Sequence, residues 1–381
     1  MSMNITQAPF TDKSFNPRRL EEAREAKGLT MAELARVLDI SRQAISSFEK
    51  GLKSPSADTL SAIAKVLGFP ERFFLAPNAS PSLDGAVHFR SRSTATKKAR
   101  VTGKTRGRWA ALILDECLKY AQLPDVVLPE LDIIDFEALS LSDIEDMATQ
   151  LRRFWGLGDG PILNLTRLVE NKGIVVSHLP TGEKVDAFSF WHNGRPLIML
   201  DRSKTAVRMR FSLAHELGHL IMHQSVEDDY LNDKELFDLV ESQADYFASC
   251  FLMPAATFGR EYYSPSLSAL ERLKLRWITS IGSITMRAHS LELITDNQKG
   301  YIFRQLAPFR RREPLDDVIQ REEPELIYKL ITLLDKHSII KVNELIDIFD
   351  LPASELSAIT RFSEAEMIQV DNVISFKLKQ R

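Results

Sequence analysis

The sequence predicts a multidomain α+β chain, and three observations predict it. Residues 1–78 break into short helical stretches punctuated by capping residues and glycines. Further on, three strand-like runs feed one long helix, the order of an α+β domain. At 381 residues the chain also has room for two or three cores, at roughly 150 residues per domain.

The N-terminal elements follow from local chemistry. Residues 18–27 form a first helix, which Gly28 suits to stop. Thr30 stands as N-cap of a helix over 31–38, with Glu33 at the capping-box position. Asp39 and Ile40 make a short turn, and Ser41 caps a third helix over 42–50 that ends at Gly51. Ser56 or Asp58 opens a fourth, which runs to Leu67 before Gly68. Leu20, Leu34, Ile45, Phe48, Ile63 and Leu67 supply an apolar core. This spacing is helix-turn-helix, with 42–50 as the recognition helix. Arg42, Gln43 and Ser46 occupy its exposed first turns, where arginine pairs with guanine and glutamine with adenine. Lys50, Lys53 and the hydroxyls of Thr30 and Ser41 suit phosphates, which position without specifying. The expected partner is a double-stranded DNA operator, and a homodimer fits the paired half-sites such domains read. A small protein-binding helical domain has a similar pattern, but the polar residues around Ile45 and Phe48 favour DNA.

Residues 79–158 read as a basic linker and helical connector. Arg90, Arg92, Lys97, Lys98, Arg100, Lys104, Arg106 and Arg108 follow one another with no acidic residue between them. They make either a phosphate-tracking extension or a solvated flexible linker. A helical pattern returns over 109–123, and another helix is expected over 135–155.

Residues 159–314 carry the densest chemistry. Strands are expected over 173–179, 186–191 and 196–200, and the run 186–191 is a candidate exposed edge for an extended peptide, or else a buried strand. A helix over 204–223 then carries His215-Glu216-Leu217-Gly218-His219. Positions i and i+4 share a helix face, so His215 and His219 can aim at one metal, while Glu216 can take a proton from an attacking water. A catalytic zinc wants three protein ligands and an open position. A second helix supplies Glu241 as the natural third ligand. Asp245, one turn on, can accept the free N–H of a ligating histidine. His223 lies a further turn along and reads as a surface or supporting histidine, and Cys250 reads as core. Tyr246, Tyr262, Tyr263 and His289 are unranked candidates for an oxyanion donor. The run with its downstream glutamate resembles the zinc metallopeptidases, which implies a zincin-like (gluzincin-type) α+β domain. The donor set implies Zn2+, although two imidazoles and a carboxylate also accept manganese.

Helices are expected over 267–275, 278–293, 324–336, 341–349 and 353–360, then two short strands over 367–379. Residues 315–381 thus form a mostly helical C-terminal module: winged-helix-like, a dimerisation unit or a sensor. The net charge of −3 gives no global nucleic-acid signature. Two cysteines, Cys117 and Cys250, point away from a disulfide scaffold and toward a reducing compartment. No signal-peptide pattern and no apolar run of about 20 residues is present, so the expectation is a cytoplasmic protein with no membrane partner.

The stretch from Arg42 to Gly51 resembles the XRE-type, lambda-repressor-like DNA-binding domain. The stretch from Ala214 to His223, with Glu241, Ala244, Asp245, Phe247 and Ala248 and then Leu252-Met253-Pro254, resembles the ImmA/IrrE family of metallopeptidases. Residues 185–189 and Arg312-Glu313-Pro314 extend the likeness, and together they resemble XRE-family regulators fused to such a domain. The resemblance implies His215, His219 and Glu241 as ligands, Glu216 as base and a repressor-type protein as substrate, in a stress, phage or mobile-element response. The family often has asparagine where this chain has Asp245; either accepts the hydrogen bond. Self-cleavage in the linker is the next candidate. The competing reading is a non-proteolytic repressor or antitoxin whose zincin-like domain senses or binds a partner.

Overall fold

The computed structural model describes residues 14–76, 81, 84–90, 97–129, 133, 135–179, 185–224, 226, 233–309 and 312–368. Each of the first four helices starts at a polar cap. Asn16 accepts from Arg18 N at α1 (Pro17–Ala26), Thr30 and Glu33 form a capping box on α2 (Met31–Val37), and Ser41 accepts from Ala44 N on α3 (Arg42–Glu49). Ser56, not Asp58, caps α4 (Ala57–Leu67), which stops at Gly68 in the left-handed region, φ 69°. Leu20, Leu34, Ile45, Ile63, Leu67, Phe73 and Phe74 are wholly buried among them. The Arg24 guanidinium grips Glu49 with two bonds, Nε–Oε1 2.5 Å and Nη2–Oε2 3.0 Å, and donates to Leu29 O at 2.8 Å, tying α3 to α1.

The chain divides into two compact units: Met1–Pro81, Lys97–Ile113 and Ile331–Arg381 in one, Ser82–Thr96 and Leu114–Leu330 in the other. The four segments read from sequence therefore do not map one to one onto the units. The connector and the C-terminal module are each shared between them.

Helix α5 (Lys97–Leu118) begins inside the basic run, which corrects the flexible-linker reading for its described residues. Lys98 pairs with Glu33 at 3.3 Å, and Arg106 is buried in a two-bond pair with Glu355 at 3.0 and 3.2 Å. Thr102 and Thr105 donate to the backbone and side chain of Glu25. Trp109 is fully buried, its ring 5.7 Å from Phe69 and 6.4 Å from Phe73. These contacts belong to the first unit and make residues 97–113 part of its core. The side chains of Arg90, Arg92 and Lys97 lie outside the described set.

The second unit holds a four-stranded sheet in the order β1-β3-β4-β2. Its strands are β1 (Asp84–Arg90), β2 (Val175–Leu179), β3 (Ala187–His192) and β4 (Arg195–Asp201). Strands β1 and β4 flank β3 antiparallel, and β2 runs parallel to β4. Asn193 and Gly194 turn β3 into β4 with φ of 49° and 72°, the two left-handed residues that a tight hairpin of this hand requires. The expectation that 186–191 is an exposed edge is overturned. It is an interior strand, because β1 arrives from far up the chain to cover it.

The helices of this unit are α6 (Leu141–Phe154), α7 (Leu165–Asn171), α8 (Ala206–Met222), α9 (Lys234–Leu252), α10 (Ala255–Glu261), α11 (Leu267–Trp277), α12 (Ile281–Ser290) and α13 (Asp296–Leu306). One face of α8 meets β1, β3 and β4, and another meets α9, so it is buried nearly all round from Ser212 to Met222. Then come α14 (Leu326–Lys336), α15 (Leu345–Phe349), α16 (Ala353–Thr360) and α17 (Glu364–Ile368). Of the stretch 367–379 expected to form two short strands, residues 367 and 368 end helix α17, and residues 369–381 lie outside the described set. Among the described residues no helix is long and apolar enough to cross a membrane.

Candidate metal centre and nucleic-acid interface

Two helices build the metal centre, and a glycine lies at their contact. A Cβ at Gly218 would stand 3.0 Å from Cδ1 of Phe247, which is itself wholly buried, so any larger residue would push that ring aside by a few tenths of an ångström where α8 meets α9. His215, Glu216 and His219 are at most 1% exposed on α8. Across from them α9 presents Glu241 and Asp245.

His215, His219 and Glu241 each offer one donor atom within 4.8 Å of the others. The two Nε2 atoms are 2.9 Å apart, His219 Nε2 is 3.3 Å from Glu241 Oε1, and His215 Nε2 is 3.7 Å from Glu241 Oε2. A tetrahedron with metal–nitrogen bonds near 2.05 Å has edges of about 3.3 Å, so the donor set has the size a zinc ion requires. Among the described residues Glu241 Oε1 is buried without a hydrogen-bond donor, which leaves its lone pairs open to a cation.

The hydrogen bonds behind the histidines fix their protons. His215 Nδ1 lies 2.8 Å from Asp245 Oδ1 and must donate to it, which leaves Nε2 as a lone pair. Behind His219 the order runs through three residues. Gln243 donates its amide to Phe136 O at 2.7 Å, so its oxygen faces His223 Nε2 at 2.8 Å and accepts from it. His223, driven down to about 4 by burial, is neutral and keeps its proton on Nε2. Its Nδ1 therefore accepts from His219 Nδ1–H at 3.0 Å, and His219 Nε2 also points a lone pair inward. With both imidazoles neutral the 2.9 Å Nε2–Nε2 approach sets two lone pairs face to face, which a proton on His215 Nε2 or a cation relieves. Burial opposes a charge on His215, yet the Asp245 and Glu241 carboxylates outweigh it and lift its pKa to about 9; the pocket is built to hold positive charge.

Glu216 sits beside this cluster, and Ser189 on β3 donates to its Oε2 at 2.7 Å. Sequence reasoning missed Ser189 and Gln243 and left His223 between surface and support. The available signal was a lone polar residue at a core position: Ser189 lies between Phe188 and Phe190 with all three buried. Of the unranked oxyanion candidates, Tyr246 donates to Glu145 at 3.2 Å, Tyr263 holds Arg272, and His289 pairs with Asp296 at 3.0 Å. The Tyr262 hydroxyl is buried without a partner. Cys250 is buried core against Glu145 and Arg287, its thiol pushed up by burial.

In the first unit, α3 presents Arg42, Gln43 and Lys50 to solvent with Ser46 half-buried, and Lys53 and Thr30 are exposed beside it. The hydroxyl oxygens of Ser41 and Thr30 accept from Ala44 N and Glu33 N; the Ser41 O–H can still donate, whereas the Thr30 O–H is turned to the Glu33 carboxylate. Ile45 and Phe48 face the core, as the pattern predicts.

A family model described as a helix-turn-helix matches residues 20–74, and one described as an IrrE N-terminal-like domain matches residues 169–289. Over 120 residues the chain is 30% identical to a protein named radiation response metalloprotease IrrE, from Deinococcus radiodurans. That match takes in 29% of this chain and 35% of the relative, so the chain spans about a third of that protein's length.

Proposed function

From a chain that joins an XRE-like helix-turn-helix DNA-binding domain to an IrrE-like metalloprotease domain, we propose a DNA-binding regulator that hydrolyses a protein substrate at a zinc centre. The observation that carries this reading is the convergence of three donor atoms, with Glu216 next to His215 in the chain and held by Ser189. His215, His219 and Glu241 would hold the ion. Bound there, zinc supplies Lewis acidity: it brings the pKa of a water toward 7 and polarises a scissile carbonyl.

The chain's own residues do the rest. Glu216 takes the proton of the attacking water and delivers it to the departing amine. Ser189 holds one oxygen of that carboxylate, which aims the other. Asp245 and the His223–Gln243 pair keep both histidine protons on Nδ1, so neither imidazole turns a hydrogen toward the ion. The substrate in this reading is a repressor-type protein in a stress, phage or mobile-element response; the relative's printed name supports only a metalloprotease of a radiation response. Arg42, Gln43 and Ser46 read bases, while Thr30, Ser41, Lys50 and Lys53 hold phosphates, and a dimer places two such helices on an operator.

The test is Glu216→Gln, which keeps the donor set and removes the base. The variant should retain about one zinc per chain by mass spectrometry and bind DNA as wild type does, while repressor turnover in cells stops. Equal repressor turnover in wild type and variant rejects the hydrolytic reading. Loss of zinc only in Glu241→Ala supports the ligand assignment.

A further inference from the structure

We propose that β1 is an internal occupant of the substrate's place: residues 84–90 lie where an extended peptide would pair with β3. The inference rests on the hydrolytic reading of the site and names how that site is filled and regulated.

Three observations carry it. First, β1 lies outside the matched part of the domain whose sheet it joins. The matched domain spans residues 169–289 and contains β2, β3 and β4, whereas β1 comes from the segment after the helix-turn-helix. Without β1, β3 is a bare edge. Second, that edge is the one beside the proposed base. His88 stands opposite Ser189 in the antiparallel register, and the Ser189 hydroxyl donates to Glu216 at 2.7 Å. Neighbouring strands are about 4.8 Å apart, which puts the β1 backbone within one strand spacing of the residue that touches the base. Helix α8, which carries His215, Glu216 and His219, also lies against β1. Third, the pairing is irregular. The register shifts between Asp84 and His88, so the ladder is interrupted midway. Within that interval Val87 is 2% exposed and anchors the strand.

An unpaired edge offers main-chain donors and acceptors to any extended segment, with side-chain pockets adding selectivity. A tethered strand has a high effective concentration and excludes free peptides until it leaves. The substrate class is therefore an extended chain segment that can add an antiparallel strand to β3, and the regulator of the site is the chain's own β1.

The test uses full-length, zinc-loaded protein. Val87→Pro removes a buried anchor and fixes the strand backbone beside the register shift, and Val87→Ala, a gentler change, weakens only the anchor. A fluorescent peptide of residues 82–96 is titrated onto Glu216→Gln with and without each Val87 change, so that binding is read without turnover. Expected is at least about tenfold tighter binding with Val87→Pro, and a smaller gain with Val87→Ala, because the apparent affinity scales with the fraction of open sites. Amide exchange along β3 should quicken in the same order. Unchanged peptide affinity and unchanged β3 exchange in both variants overturn the proposal. Casein hydrolysis, read separately with Glu216 intact, reports on the hydrolytic reading. If the peptide binds the opened variants but casein is not cut, the occupancy proposal stands and the hydrolysis proposal fails.

Discussion

Replacing Gln243 with leucine should loosen the metal although Gln243 touches no ligand. The side chain accepts from His223 at 2.8 Å and donates to Phe136 O at 2.7 Å, and it is 3% exposed. Leucine keeps the bulk and leaves one buried N–H and one carbonyl unmatched, at about 1–3 kcal/mol for each orphaned group. His223 then has no reason to hold its proton on Nε2. With the proton on Nδ1 it confronts His219 Nδ1–H across 3.0 Å, donor against donor. His219 relieves the conflict by moving its own proton to Nε2, the atom 3.3 Å from Glu241 Oε1. A metal must displace that proton, so affinity should fall about 10- to 100-fold, the range for lost outer partners of metal-bound histidines. That loss equals about 1.4–2.7 kcal/mol. Competition with a chromogenic zinc chelator measures it directly. Asp245→Asn is the internal contrast: the carboxylate is 55% exposed and the amide oxygen still accepts, so a change below about threefold is expected. A folded Gln243→Leu protein that binds zinc within about threefold of wild type refutes the proton-order argument.

Other outcomes follow from single contacts. Ser189→Ala removes the donor to Glu216 Oε2 and should lower kcat about three- to tenfold, with zinc content and KM unchanged, in steady-state cleavage of a protein substrate. Arg42→Ala should cost about 1–3 kcal/mol in operator binding and relax specificity, whereas Lys53→Ala should weaken all sequences alike and reduce the salt slope by about one; electrophoretic or anisotropy titrations across salt separate the two. Glu170 is buried, which raises its carboxyl to about 7 despite donation from Glu325 N and Leu326 N. A raised folded pKa means that the folded state holds the proton more tightly, so this contribution is present at low pH and is lost as pH rises from about 4.5 to about 7. The Tm of Glu170→Gln should therefore gain on wild type across that window; a constant difference contradicts the assignment.

Much of the fold was legible because its causes are local. Thr30, Ser41 and Ser56 announce their helices by capping chemistry, and the histidine pair shares a face by helix geometry alone. What escaped depends on partners remote in sequence. Nothing in Asp84–Arg90 alternates strongly enough to demand a strand; it becomes one by pairing with β3. The basic run hides the start of α5 because its charges are answered by Glu33, Glu25 and Glu355, from three distant stretches. At the site, Glu241 could be read from its spacing, but the duty of His223 could not. That duty depends on Gln243, whose own orientation is fixed by a carbonyl at Phe136.

The buried Arg106–Glu355 pair has a consequence for any scission of the chain near β1. Residues on both sides of such a cut belong to the same compact unit: the helix-turn-helix before it, Lys97–Ile113 and the C-terminal helices after it. Besides that pair, Thr102 and Thr105 on Glu25, Lys27 on Glu355, and Trp109 against Phe69 and Phe73 clasp the pieces without needing the peptide bond. A nicked molecule would thus still elute as one particle in gel filtration and fall into two bands only in detergent. Scission here would change what the chain is tethered to while leaving its fragments in each other's company.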